Sequence, residues 1–243
     1  VVQSGDGAVI EEALAYLTDA DSWWGRNGLV NLTWNHVRLS GAALLAAIVL
    51  AVPPALLLGH RHRGGLLTVT LVNLSRALPT FAVIAFVLPV SYQLDLGLGF
   101  WPTFVALVLL ALPPVFVNAY TGVDDVDSPV VEAARGMGMR ESEVLRRVEV
   151  PAAMPLLAAG VRVSAVQVVA TTTLGTLVGY RCLGTPIIQG IAERDYGKVL
   201  AAAVIVAALS LLTDAAFGAL GRRLTPWAEN PAVETKASVQ HAT

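Results

Sequence analysis

The chain has 243 residues, of which 55% are hydrophobic and 14% charged, with a formal net charge of −2. Soluble domains carry about 25% charged residues, so an ordinary soluble globule is excluded, as is disorder outside the ends. A single cysteine, Cys182, excludes an internal disulfide, the four histidines have no zinc spacing, and the charge balance does not point to nucleic acid.

Residues 1–38 are acidic (Asp6, Glu11, Glu12, Asp19, Asp21) and lack the basic region of a cleavable signal. Glu11 to Leu17 predicts one or two turns of surface helix, and Trp23, Trp24 and Trp34 predict interfacial anchors. Leu39 to Gly59 is then 21 residues without a charge, about 31 Å of helix, one hydrocarbon thickness. Four further stretches follow: Leu66–Pro89 interrupted by Arg76, Trp101–Thr121, Leu157–Val178 containing Arg162, and Val199–Leu220 containing Asp214. They show no period-two alternation, which argues against a barrel. The expected fold is all-α, a polytopic membrane bundle of about five transmembrane helices. Pro53-Pro54, Pro79 and Pro113-Pro114 predict kinks, which neighbouring helices can satisfy in a membrane.

The expected organisation is an external segment (1–38), a transmembrane domain (39–220) with a hydrophilic loop (122–154), and a polar tail (221–243). Alternation places nine Lys/Arg on the side of the 60–63 gap, the loop and the tail, and five on the other. The positive-inside rule makes the first side cytoplasmic, with the N-terminus outside and the C-terminus inside a cell membrane.

In the loop, Asp127 or Ser128 is placed to cap a helix with Pro129 at its first position. That helix reaches Gly136 and Gly138, where a turn needing positive φ is expected. A second short helix from about Glu141, with Val144, Leu145 and Val148 on one face, is expected to stop at Pro151. Ala133 and Ala134 permit close approach by a partner, and Glu132 offers a charge. Two readings are open from the pattern: a docking element, or a loop lying on the membrane surface.

Glu132-Ala133-Ala134, three residues, Gly138, nine residues, then Val148-Glu149-Val150-Pro151 resembles the EAA loop of binding-protein-dependent ABC importer permeases. Valines stand where that pattern has Ile and Leu. The resemblance extends over roughly residues 11–225. Leu17-Thr18-Asp19, Trp23-Trp24-Gly25, the His36–Ser40 stretch, Arg76-Ala77-Leu78-Pro79-Thr80, Ala133–Met139 and Ile191–Tyr196 resemble permeases of the glycine betaine, carnitine and choline import systems. It implies a type I importer permease core. Glu132, Ala133, Ala134, Gly138, Val148 and Pro151 would then form the ATPase-coupling element. The implied partners are cytoplasmic ABC ATPase subunits carrying ATP and Mg, a second permease copy or paralogue, and an external solute-binding protein. The implied cargo is a compatible solute such as glycine betaine, carnitine, choline or proline. This chain would catalyse no covalent chemistry and hold no cofactor or metal. One departure stands out: Gly179-Tyr180-Arg181-Cys182-Leu183-Gly184 replaces a glycine-rich segment after the fourth span.

Polar residues within the spans are pathway candidates. Arg76 lies about 18 Å from the cytoplasmic end of its span, beside Pro79, and either lines or gates the route or pairs with an acid of a partner subunit or with helix carbonyls. Asn73, Gln167 and Thr171 either line the route or bond between helices. Asp214 is expected to pair with Arg222 or Arg223, and Arg162 to snorkel. There is no Walker A, HExxH or Gly-x-Ser-x-Gly motif. The rivals are an ion-gradient secondary transporter, which would call for intramembrane carboxylates and an inverted repeat, and a non-transporting structural membrane subunit.

Overall fold

The computed structural model describes residues 6–25, 27–77 and 79–227, without the side chains at 6 and 74–77. Among them all regular structure is helical. The helices are α1 (Asp6–Thr18), α2 (Leu29–His60), α3 (Gly65–Ala77), α4 (Thr80–Gln93), α5 (Phe100–Asp124), α6 (Ser128–Gly136), α7 (Glu141–Val144), α8 (Val150–Thr171), α9 (Gly184–Glu193) and α10 (Tyr196–Leu224).

Helix α5 is the hub, packing against α2, α3, α4 and α8. Its contact with α2 is close because Ala43, Ala47, Ala51, Ala55 and Gly59 recur every four residues along one buried stripe. Small residues let helix backbones approach, which is how helices associate where lipid offers no hydrophobic drive. Leu107, Val108, Ala111, Val115, Phe116, Ala119 and Tyr120 of α5 fill the facing side. At the end of the stripe, a Cβ on Gly59 would sit 2.9 Å from the Tyr120 carbonyl oxygen. Between α5 and α8, Gly160 packs on Asn118, and Ser164 Oγ donates to the Ala111 carbonyl at 3.0 Å.

Among the described residues, four helical segments are long and apolar enough to cross a membrane: Leu29–His60, Phe100–Asp124, Glu141–Val178 and Tyr196–Leu224. The expected second span, Leu66–Pro89, is instead two short helices: α3 ends at Ala77 and α4 starts at Thr80, after Pro79. Proline has no N–H to continue α3 and biases the residue before it away from helical angles. Pro79 therefore starts α4 as its N-cap, in an extended conformation.

Two further differences lengthen elements. Helix α2 begins at Leu29 rather than Leu39. The second loop helix does not stop at Pro151: α7 runs through a π turn, Leu145–Glu149, into α8, and a 3-10 segment, Thr172–Val178, continues beyond it. The π turn makes a Val150 N–H to Leu145 carbonyl bond. Its extra residue widens the helix where the Pro151 ring would otherwise press on the carbonyl four residues earlier.

Helix α1 spans Asp6–Thr18 and docks on α10, with Ala13 buried, so it belongs to the bundle rather than to a bare surface. The docking site is Gly197, where any side chain would collide with Glu12. Helices α1 and α9 and the 97–99 turn sit at one end of the bundle; the 60–64 turn, α6 and α7 sit at the other.

Candidate functional site

The α6 end carries the site. Helix α6 starts after Asp127 with Pro129 in its first turn, as the spacing suggests, but Asp127 makes no side-chain cap bond. Its phase decides what it presents. Val131 and Ala134, three residues apart, point inward and pack with Val144, Val126, Met139 and Val148. Ala134 is 2% exposed, so the alanine pair is split: Ala134 anchors α6 to its own chain, while Ala133 faces out. Glu132, Ala133, Arg135 and Gly136 lie on the outer face with Val130 and Met137, the last 73% exposed. That face is broad, since only Val131 and Ala134 of α6 are buried, and it mixes apolar residues with charge.

The chain turns back at Gly138, whose φ is +84° with open space around it. A side chain there is strained by backbone angle rather than by crowding. Val148 lies in the π turn against the α6 cluster, and Pro151 is half-buried at the start of α8. Five of the six coupling candidates thus belong to one small folded unit or its outer face, and Pro151 sets the geometry of the helix below it.

That unit is tied to α2 through charges. Arg135 donates two hydrogen bonds to Glu141, 2.9 Å from Nε and 3.0 Å from Nη2. The paired carboxylate holds the Arg135 guanidinium above its usual pKa range. Glu141 Oε2 also lies 3.2 Å from His60 Nε2, and His60 Nδ1 lies 2.6 Å from Glu149 Oε2. Glu149 is buried in the π turn. Nearby, His62 Nδ1 lies 2.9 Å from Asp124 Oδ1. A cleft of about 710 Å³ opens between the 60–63 turn, Arg135 and Glu141.

The pathway candidates do not form one cluster. Asn73 is exposed on α3 and Pro79 exposed at the start of α4, whereas Gln167 is exposed and Thr171 half-buried on α8. All three helices pack on α5. The Arg76 side chain lies outside the described residues, as do Arg26, Leu78 and the tail from residue 228.

Asp214 does not pair with Arg222 or Arg223, and Arg162 does not snorkel to an end. They pair with each other across α8 and α10, with bonds of 2.7 and 2.6 Å. Gly218, one turn beyond Asp214, leaves room for the guanidinium.

The 179–184 departure is accommodated at the opposite end. Arg181 is exposed, whereas Cys182 is fully buried with its Sγ 3.3 Å from the Thr172 carbonyl oxygen. Burial pushes the Cys182 thiol up to about 11. Gly179 supplies a left-handed turn, with φ +88° and open space around it, whereas Gly184 keeps a tight approach, since any side chain there would meet Thr173. The Tyr180 hydroxyl donates to the Asn35 carbonyl at 2.9 Å.

Sequence reading missed His60, Glu141 and Glu149 as a group because they are far apart in the chain and look like ordinary loop charges. The small-residue stripe on α2 was missed too, although its four-residue spacing is visible in the sequence.

Comparison with known proteins bears on the family and the fold. The family described as "Binding-protein-dependent transport system inner membrane component" matches residues 42–226. The chain is 35% identical over 210 residues, 86% of its length and 94% of the relative's, to the carnitine transport permease protein OpuCB of Listeria monocytogenes. It is 31% identical over 198 residues, 82% and 89% of the two lengths, to the choline transport system permease protein OpuBB of Bacillus subtilis. Its fold matches a chain of the MetNI methionine ABC transporter in an inward-facing conformation, with TM-score 0.71, 21% identity, and coverage of 81% of this chain and 96% of that one.

Proposed function

The chain belongs to the inner membrane component family of binding-protein-dependent transport systems, and from that premise we propose that it is the permease subunit of an ATP-driven importer for compatible solutes. Its relatives named for carnitine and choline support a quaternary ammonium or betaine-like cargo. Two permease chains, identical or paralogous, form the route across the cell membrane. The α6 end faces the cytoplasm, where the excess of Lys and Arg lies. The α1 end faces outward and receives solute from a binding protein.

The observation that carries the reading is the two-faced α6. Its inner face is locked to the chain by Val131 and Ala134, while its outer face leaves Glu132, Ala133 and Met137 free for another chain. Coupling is mechanical. ATP and Mg act on a separate ATPase subunit, whose closure moves α6. Helix α6 passes that motion through Val144 and Val148 into α8, whose helical continuity through the π turn makes it a stiff lever. Alternating access follows from the tilt of α8 against α5 and α2.

The test is ATP-dependent uptake of labelled glycine betaine, carnitine or choline into vesicles holding this permease with its ATPase and binding protein. Glu132→Ala with Gly138→Trp abolishes uptake while the permease still inserts and folds. Undiminished uptake by that double variant contradicts the coupling role of α6.

A further inference from the structure

We infer that His60 is a positioning residue, the pin that holds the α6–α7 unit against the end of α2. The inference rests on the coupling role proposed for α6 and extends it to how that unit is held. His60 is the last residue of α2, and its side chain is mostly buried, at 11% exposure, on the wall of the cleft. Each ring nitrogen faces a different carboxylate: Nδ1 is 2.6 Å from Glu149 Oε2, and Nε2 is 3.2 Å from Glu141 Oε2. A carboxylate only accepts hydrogen bonds, so the arrangement is satisfied when the imidazole donates from both nitrogens or one carboxyl keeps the shared proton. Three elements meet at this ring: α2, the π turn ahead of α8, and α7.

The two contacts have different consequences. Glu149 is buried, with a side-chain exposure of 3%, so its contact with His60 satisfies a carboxyl group that water scarcely reaches. Glu141 is 59% exposed and needs no partner for solvation. It nevertheless bridges His60 to Arg135, which it grips with two bonds. Arg135 stands on α6 directly after the Glu132–Ala134 segment. The chain His60–Glu141–Arg135 therefore runs from the end of a membrane-spanning helix to the proposed ATPase contact. It is a route separate from the apolar cluster of Val131, Ala134 and Val144. With both in place α6 is held at two points, so a push on it is transmitted rather than absorbed as rotation about the apolar contact.

Geometry separates the pin from a purely structural role. In His60→Asn the amide nitrogen takes roughly the place of Nδ1 and still donates to Glu149, while the reach to Glu141 is lost. Glu141→Ala breaks the same link from the other side without touching Glu149. The first readout is the distance distribution between spin labels at Arg61→Cys and Met137→Cys in the full-length permease in nanodiscs. Cys182 is buried and stays unlabelled. The second is solute carried per ATP hydrolysed in the assembled transporter. Both His60→Asn and Glu141→Ala broaden the distance distribution and lower the transport ratio by about fivefold or more, a typical size for coupling between sites. The double variant is no worse than either single one, because both remove the same link.

An unbroadened distribution in both variants overturns the pin whatever α6 does. A broadened distribution with an unchanged transport ratio overturns its part in coupling. Failure of the α6 reading itself shows separately, as full uptake in Glu132→Ala with Gly138→Trp.

Discussion

Arg162 on α8 and Asp214 on α10 face each other as a two-bond ion pair, Nε to Oδ1 at 2.7 Å and Nη2 to Oδ2 at 2.6 Å. Both lie well inside apolar helices, where an unpaired charge is costly. Asp214→Ala leaves Arg162 unpaired and lowers the yield of folded permease from membranes. Arg162→Ala does the same from the other side. Reversing the pair, Arg162→Asp with Asp214→Arg, restores a substantial part of that yield. Size-exclusion profiles of the four proteins in detergent check this, and equal profiles throughout refute it.

The α2 stripe sets a steric limit. Ala47 is fully buried where α2 meets α5. Ala47→Leu overpacks that contact and costs about 1–3 kcal/mol. Val49→Leu, on the exposed face of the same helix, changes stability little. Thermal unfolding in detergent separates the two substitutions, and equal effects contradict the close α2–α5 approach.

The turn after α6 depends on Gly138. With φ at +84° and no neighbour in the way, Gly138→Ala costs about 1–2 kcal/mol through backbone angle alone. Gly136→Ala, inside α6 where φ is not positive, is neutral or stabilising. Hydrogen exchange of the α6 amides reads the difference: faster exchange is expected in the first variant and not in the second.

Cys182 offers a pH test. Burial raises its thiol to about 11, so the reactive thiolate stays scarce in the folded chain up to that pH. An exposed thiol, by contrast, reacts progressively faster through pH 8–9. Maleimide labelling of the folded permease therefore stays slow across pH 7–9 and becomes fast in denaturant. Rapid labelling at pH 8 without denaturant contradicts the buried position.

Much of the fold was legible because a membrane imposes length and apolarity together. Helix α5, Phe100–Asp124, extends the uncharged Trp101–Thr121 stretch by one residue at its start and three at its end. Where the reading failed, the cause is long-range contact or local backbone chemistry. The start of α2 was missed because His36 and Arg38 look like a polar boundary. In the folded chain His36 is buried and bonded 2.7 Å from the Val169 carbonyl oxygen, a contact no local pattern contains. The α3–α4 break follows from Pro79, which was read as a kink. The continuation through Pro151 needed a π turn, which has no composition signature.

The EAA segment shows the same division. Its spacing identified the loop, but not which alanine faces out. Helical phase carries that information, since Val131 and Ala134 share a face three residues apart. The pairing of His60 with Glu149, 89 residues away, is invisible in any local window. So is that of Arg162 with Asp214, 52 residues away.

The neighbouring alanines provide the most direct test of the central claim, that the outer face of α6 is the ATPase contact. Ala133 is exposed and Ala134 is buried. A photo-crosslinking amino acid at Ala133 is predicted to capture the ATPase subunit in membranes holding the assembled transporter, whereas the same group at Ala134 gives little or no adduct with it. Absence of an ATPase adduct at Ala133, or equal capture at both positions, would contradict the account.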